Sequence, residues 1–149
     1  VLGLVEGELD AGIDEIVVSD TVGYANPAQV RRLFSQVLAL AGEKRVVAHF
    51  HDTRGMGLAN ACAALEAGVR DFDGCTGGLG GCPTAPGATG NVVLEDLVFM
   101  FESMGLRTGI DVDKLAEVRG LIAQELPDVP LHGHYAVAGA PKGFVAAPA

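Results

Sequence analysis

Basic residues are scarce in this 149-residue chain: Lys and Arg total 10 against 19 Asp and Glu, a formal net charge of −9. Such a chain lacks the electrostatic attraction on which non-specific nucleic-acid binding depends. No aromatic-and-basic patch replaces it, so nucleic acid is not an expected partner. Cysteine is scarce too. Cys62, Cys75 and Cys82 form no C-x-x-C pair and are odd in number, which disfavours a disulfide framework and a structural zinc site and leaves at least one thiol free. Long apolar runs are missing: Ile16-Val17-Val18 and Val46-Val47-Ala48 are strand-sized, far short of the roughly 20 residues of a membrane-spanning helix. No basic segment leads into an apolar one as a secretory leader would. The expectation is a soluble protein of the cytoplasm or an organelle matrix, without a membrane partner. The chain opens at Val1 in mid-pattern, which predicts a piece of a longer protein.

What is present suits a folded domain, with 49% apolar and 19% charged residues. Gly12 to Asp20 reads as a turn and then a strand covered on both faces, because Ile13, Ile16, Val17 and Val18 are β-branched and nearly continuous. Asn26 and Pro27 have the character of an N-cap and first helical residue. Val30, Leu33, Phe34, Val37 and Leu38 follow at helical spacing, and Gly42 ends the helix. Arg45 to Asp52 repeats the buried-strand pattern, and a second helix is expected from Met56 through Ala67 to Gly68. Val69 to Gly74 is a shorter third strand. A Gly-rich loop, Gly77-Gly78-Leu79-Gly80-Gly81-Cys82-Pro83, then leads to a helix from Val92 to Met104. Three strand–helix units of about 25 to 35 residues predict an α/β fold with a parallel sheet, open or part of a (β/α)8 barrel. Asp111 to Glu125 is one more amphipathic helix. The Pro-, Gly- and Ala-rich remainder reads as a surface extension or flexible end.

The chemistry-bearing residues gather at the carboxyl ends of the expected strands, where both architectures place their sites. His49 and His51, two apart on one strand, point to one side and have a spacing suited to chelating a metal ion; two ordinary hydrogen-bonded histidines would look the same. Asp20 ends the first strand, as a residue of the site rim or simply of the turn. Asn91 reads by default as an N-cap for the helix from Val92. Cys82 lies in an exposed Gly-Gly-Cys-Pro loop that is able to swing a thiol over a cleft, whereas Cys62 and Cys75 are assigned to packing. The Gly-rich loop lacks the lysine of a phosphate-binding loop and suits closure over a substrate instead.

In order and spacing, His49-Phe50-His51-Asp52-Thr53, Gly78-Leu79-Gly80-Gly81-Cys82-Pro83 and Gly90-Asn91 resemble the 3-hydroxy-3-methylglutaryl-CoA lyase family. Asp20-Thr21-Val22-Gly23 fits it too, and the similarity runs from about Gly12 to Gly109. The resemblance implies the C-terminal part of a (β/α)8 barrel over residues 1–126, with 127–149 as an extension. Related Claisen-type synthases share the His-x-His-Asp strand but carry Gly-Glu-Arg before the Gly-Asn, where this chain has Gly-Cys-Pro. By motif position, His49, His51 and Asn91 would be metal ligands for Mg2+ or Mn2+. Cys82 would be the thiol of the mobile loop, Asp20 a rim residue and His49 a participant in proton transfer. The implied reaction is retro-Claisen cleavage of 3-hydroxy-3-methylglutaryl-CoA to acetyl-CoA and acetoacetate, with an acyl-CoA as partner and a homo-oligomer as the full-length form.

Three departures qualify these expectations. Arg54 and Thr84 stand where familiar lyases carry Tyr, which keeps a related acyl-CoA such as citramalyl-CoA, or another acyltransferase or aldolase reaction of the superfamily, as alternatives. The Arg-Asp pair of the family's first strand, source of a metal carboxylate, is not supplied here. Without it the chain alone is expected to be inactive, and about another 150 residues are expected on its N-terminal side. A non-catalytic barrel piece is the alternative of a different class.

Overall fold

The computed structural model describes residues 1–81, 87 and 90–146. Local chemistry sets the first helix boundaries. Asn26 accepts from the Gln29 backbone N–H at 3.1 Å while Gln29 Oε1 accepts from the Asn26 N–H at 3.2 Å. This capping box, with Pro27 behind it, starts α2 at Pro27–Ala41. Gly42 ends it in a conformation with φ of 59°. Strand β1 (Glu15–Asp20) precedes α2; β2 (Arg45–Phe50), α3 (Gly57–Ala67) and β3 (Asp71–Asp73) follow. The strands form a parallel sheet in the order β1-β2-β3, with Ser19 opposite His49 and His49 opposite Asp73.

Helices α2, α3 and α4 (Leu94–Ser103) supply most of the core. Phe34 and Val37 of α2 bury against Ile16, Ala48 and Phe50 of the sheet. The Phe34 and Phe50 rings meet edge to face at 6.0 Å between centroids, a favoured aromatic geometry. On the opposite face the cover is partial. Val17 is 51% exposed beside a fully buried Ile16, so within this chain the second face of β1 is only partly covered. The first helix, α1 (Leu2–Asp10), was not foreseen; Val5 is its buried contact with the core.

The third unit departs most from expectation. Thr76–Gly78 makes a single 3-10 turn inside the segment read as loop, and α4 starts at Leu94 rather than Val92. Asn91 to Val93 are kept extended by two bridges, His51 with Asn91 and Cys75 with Val93. The cap position therefore falls on Val93 and not on Asn91. Glu95 and Asp96, in the first turn of α4, are both buried, where the positive end of the helix dipole favours carboxylates. Both oxygens of Glu95 accept from the Gly77 N–H, at 3.1 and 3.0 Å, and Arg119 lies 3.4 Å away.

Asp96 anchors the segment expected to be a loose end. Its carboxylate accepts from the backbone N–H groups of His134 and Tyr135 at 2.7 to 3.0 Å. Tyr135, opening the short α6 (Tyr135–Ala138), is buried and donates its hydroxyl to Asp113 of α5 (Val112–Glu125) at 2.9 Å. Phe99 stacks between Tyr135 and Phe144, with both centroid distances 5.2 Å. The extension is thus docked as far as Phe144, because its few apolar side chains find a partner surface on α4. Among the described residues no helix is long and apolar enough to cross a membrane.

Burial, and then the hydrogen bond to Asp113, raises the Tyr135 phenol above its ordinary 10.0. The folded chain holds this proton more tightly than the unfolded one. The stability gained is complete below the unfolded value and is lost as pH rises through the folded value. Tyr135→Phe should lower stability at about pH 8 by about 1 kcal/mol and flatten the decline of the unfolding midpoint above about pH 10; thermal melts followed by circular dichroism across that range check both.

Candidate functional site

The site is built where β2 runs past its last sheet residue. Val92 N–H donates to the Phe50 carbonyl at 2.8 Å and Asp52 N–H to the Gly90 carbonyl at 3.0 Å. This short antiparallel contact sets Asn91 beside His51. Gly90 makes the approach feasible: its φ is +123°, and a Cβ there would lie 1.8 Å from the Gly78 carbonyl oxygen. Gly80 is constrained similarly, since a Cβ would lie 2.5 Å from Asn91 Nδ2. The Gly-rich loop therefore packs its backbone directly against the Gly90-Asn91 segment, a close approach that only glycine permits.

His49 and His51 face the same side, as their spacing implied, with ring centroids 5.2 Å apart and planes inclined at 59°. His49 Nδ1 lies 2.5 Å from Asp73 Oδ1. His51 is buried, and among the described residues its Nδ1 meets no partner. Burial, then the neighbouring His49, pushes the His51 pKa down, with Asp20 acting in the opposite sense. Both readings of Asp20 meet here: its oxygens accept from the Tyr24 and Ala25 N–H groups at 2.9 and 3.0 Å, so it shapes the turn, yet its charge reaches His51. Arg54 donates to the Val22 and Gly23 carbonyls and stands 4.1 Å above the Tyr24 ring, clamping the same turn.

Asn91 is oriented by its amide nitrogen. Nδ2 donates to the Leu79 carbonyl at 2.5 Å and to Cys75 Sγ at 3.1 Å, while the buried Oδ1 has no partner among the described residues. Burying a carbonyl oxygen unpaired is costly unless something else binds it. Cys75 thus does more than the packing assigned to it; burial raises its thiol pKa, in keeping with a neutral acceptor. Cys62, by contrast, rests against Met100 with 3.8 Å between sulfurs. Cys82 and Thr84 lie outside the described residues.

Among the described residues no three His, Cys, Asp or Glu side chains converge to hold a metal ion. A cage at this rim needs the Asn91 oxygen. Two imidazoles, His49 held by Asp73 and His51, and the amide oxygen of Asn91 are donors of the kind that a divalent cation accepts. The set supplies no carboxylate. The chain's one Arg-Asp dipeptide, Arg70-Asp71, lies at the other end of β3, where Asp71 pairs with Arg45. Asp73 and Cys75 were missed as site residues because their relevance depends on the strand register and on the fold of the Gly-rich loop.

The chain matches the HMGL-like family over residues 1–122 and belongs to that family. The match exceeds the 12–109 span carrying the motifs, taking in α1 and most of α5. The chain is 44% identical over 126 residues to the hydroxymethylglutaryl-CoA lyase of Bacillus subtilis (strain 168), covering 85% of this chain and 42% of that protein. It is 45% identical over 115 residues to the (R)-citramalyl-CoA lyase of Chloroflexus aurantiacus, covering 77% and 36%. Among solved structures, an HMG-CoA lyase from Acinetobacter baumannii in complex with coenzyme A and 3-methylmalate superposes with a TM-score of 0.88 at 45% identity, covering 99% of this chain and 48% of that one. The chain thus spans less than half the length of these relatives, and its α/β sheet corresponds to part of the barrel of such lyases.

Gly90→Ala should force the Gly78 carbonyl away and strain a left-handed backbone. Destabilisation of about 3 kcal/mol or more in denaturant unfolding is the expected result; a change below about 0.5 kcal/mol would contradict the close packing.

Proposed function

We propose that this chain forms the metal-holding rim of a lyase that cleaves 3-hydroxy-3-methylglutaryl-CoA to acetyl-CoA and acetoacetate. The observation that carries the reading is the adjacent pair of buried polar atoms without a partner among the described residues, His51 Nδ1 and Asn91 Oδ1, beside a His49 ring held by Asp73. Their motif order and the names of the relatives at 44 to 45% identity support it.

The reaction requires the tertiary hydroxyl to give up its proton. The neighbouring carbon–carbon bond then breaks, its electron pair passing to the departing carbon as a thioester enolate. The hydroxyl carbon becomes the ketone of acetoacetate, and the enolate carbon takes up a proton to give acetyl-CoA. A bound Mg2+ or Mn2+ would supply Lewis acidity and a template for the hydroxyl and carbonyl oxygens. His49, His51 and Asn91 are the residues to hold it. His49 Nε2 is the nitrogen left free by Asp73, for the ion or for the hydroxyl proton. Cys82 is assigned the proton that reaches the enolate carbon, since a neutral thiol of ordinary pKa, about 8.5, is a competent donor. Asp20 and Arg54 shape the adjoining turn and so the entrance for substrate.

A second substrate deserves the same assay. A citramalyl-CoA lyase is as similar to the chain as the hydroxymethylglutaryl-CoA lyase of Bacillus subtilis, and Arg54 occupies a rim position where selectivity could be set. A full-length enzyme of the cytoplasm or an organelle matrix, assembled as a homo-oligomer, is part of the same proposal; with 10 basic against 19 acidic residues in this chain, its CoA-binding basic groups would come largely from outside it.

The test is cleavage of both acyl-CoAs by the full-length protein with Mg2+. Cleavage of 3-hydroxy-3-methylglutaryl-CoA is expected; cleavage of citramalyl-CoA alone would reassign the substrate, and none of either would favour a non-catalytic role. Asn91→Ala should weaken Mn2+ binding by at least about tenfold, measured by titration. Cys82→Ala should sharply lower turnover with metal content unchanged, and near-normal turnover would remove Cys82 from the reaction.

A further inference from the structure

Parallel pairing of β2 with β3 sets the Cα of Asp73 opposite that of His49, at the rim where both strands end. Asp73 Oδ1 lies 2.5 Å from His49 Nδ1, and the two side chains are 50% and 23% exposed. An ionised carboxylate accepts hydrogen bonds and cannot donate them. The ring nitrogen facing it must therefore carry the proton.

Among the described residues no competing arrangement surrounds this pair. Both oxygens of Asp20 are taken by the turn at Tyr24 and Ala25, and the Cys75 sulfur, two residues beyond the end of β3, is taken by Asn91. The His51 ring is inclined to that of His49 rather than hydrogen-bonded with it. Which imidazole nitrogen carries the proton is set by the hydrogen bonds of the ring, and among the described residues Asp73 makes the one bond to His49.

We infer that Asp73 is a positioning residue: it fixes His49 as the Nδ1–H tautomer and turns Nε2, with its lone pair, toward the space shared with His51 and Asn91. What Nε2 does there rests on the function proposed above; the tautomer itself does not. An imidazole without such an acceptor exchanges between tautomers and favours the Nε2–H form, which can neither bind a cation through Nε2 nor accept a proton there. A carboxylate behind a ligating histidine also raises its basicity and holds its orientation.

The experiment records long-range proton–nitrogen spectra of the protein labelled with 15N-histidine, without metal. It is run about two pH units above the ordinary histidine value of about 6.5. His49 is expected as the Nδ1–H form, and Asp73→Ala should shift it to mostly Nε2–H while leaving the His51 signals in place. Asp73→Glu, which restores a carboxylate, should recover at least part of the Nδ1–H population. Mn2+ affinity should fall about 10- to 100-fold in Asp73→Ala. Persistence of Nδ1–H in Asp73→Ala would overturn the assignment. Should that variant not fold, the wild-type spectrum still decides: a predominant Nε2–H form of His49 contradicts it. A wrong tautomer in a protein that cleaves acyl-CoA removes the role of Asp73 alone. The expected tautomer in a protein that cleaves neither substrate removes the proposed function alone.

Discussion

The short antiparallel contact between the end of β2 and the segment Gly90 to Val92 is the constraint on which the rest of the site depends. Two backbone hydrogen bonds, Val92 to Phe50 and Asp52 to Gly90, bring an asparagine from the far side of the Gly-rich loop next to a histidine at the strand end. Backbone groups do this work because they satisfy each other as they meet, so the approach costs no buried, unpaired N–H or C=O. The glycines around it have a steric duty: side chains at Gly80 or Gly90 would collide with the loop or with Asn91. The same pairing extends the chain to Val93 and delays α4 to Leu94. That places Glu95 and Asp96 where they bind the 3-10 turn at Gly77 and the C-terminal segment at His134 and Tyr135.

The distribution of polar partners gives the rim its chemical character. Asn91 spends its donor on Leu79 and Cys75 and keeps its acceptor; His49 spends Nδ1 on Asp73 and keeps Nε2; His51 is buried with Nδ1 unpartnered. His49 and Asn91 are each held by a partner on one side, which leaves the other nitrogen of the one and the oxygen of the other. A buried polar group left in that state is destabilising by about 1 to 3 kcal/mol, a cost that the cation of the proposed function would offset.

Much of this was legible in the sequence. The parallel strands, the capped α2 and the pairing of His49 with His51 follow from periodicity, cap residues and the two-residue repeat of a strand. What was not legible depends on contacts distant in sequence. Asn91 before an apolar helix has the local signature of an N-cap, and only the bridges to His51 and, through Val93, to Cys75 exclude it. Asp73 becomes a partner of His49 through the β2–β3 register, which no local pattern specifies. The tail has the composition of a loose end, but one tyrosine and one phenylalanine suffice to dock it once Phe99 and Asp96 present a surface.

The account centres on a divalent cation held at one place on this rim. Substoichiometric Mn2+ added to the isotopically labelled protein reads this directly, since a paramagnetic ion broadens the resonances nearest to it. Broadening that begins at His49, His51 and Asn91 and spares Arg45 and Asp71 at the opposite end of the sheet is the predicted result. Broadening centred on the acidic surface, or on His132 and His134, with the rim signals intact would contradict it.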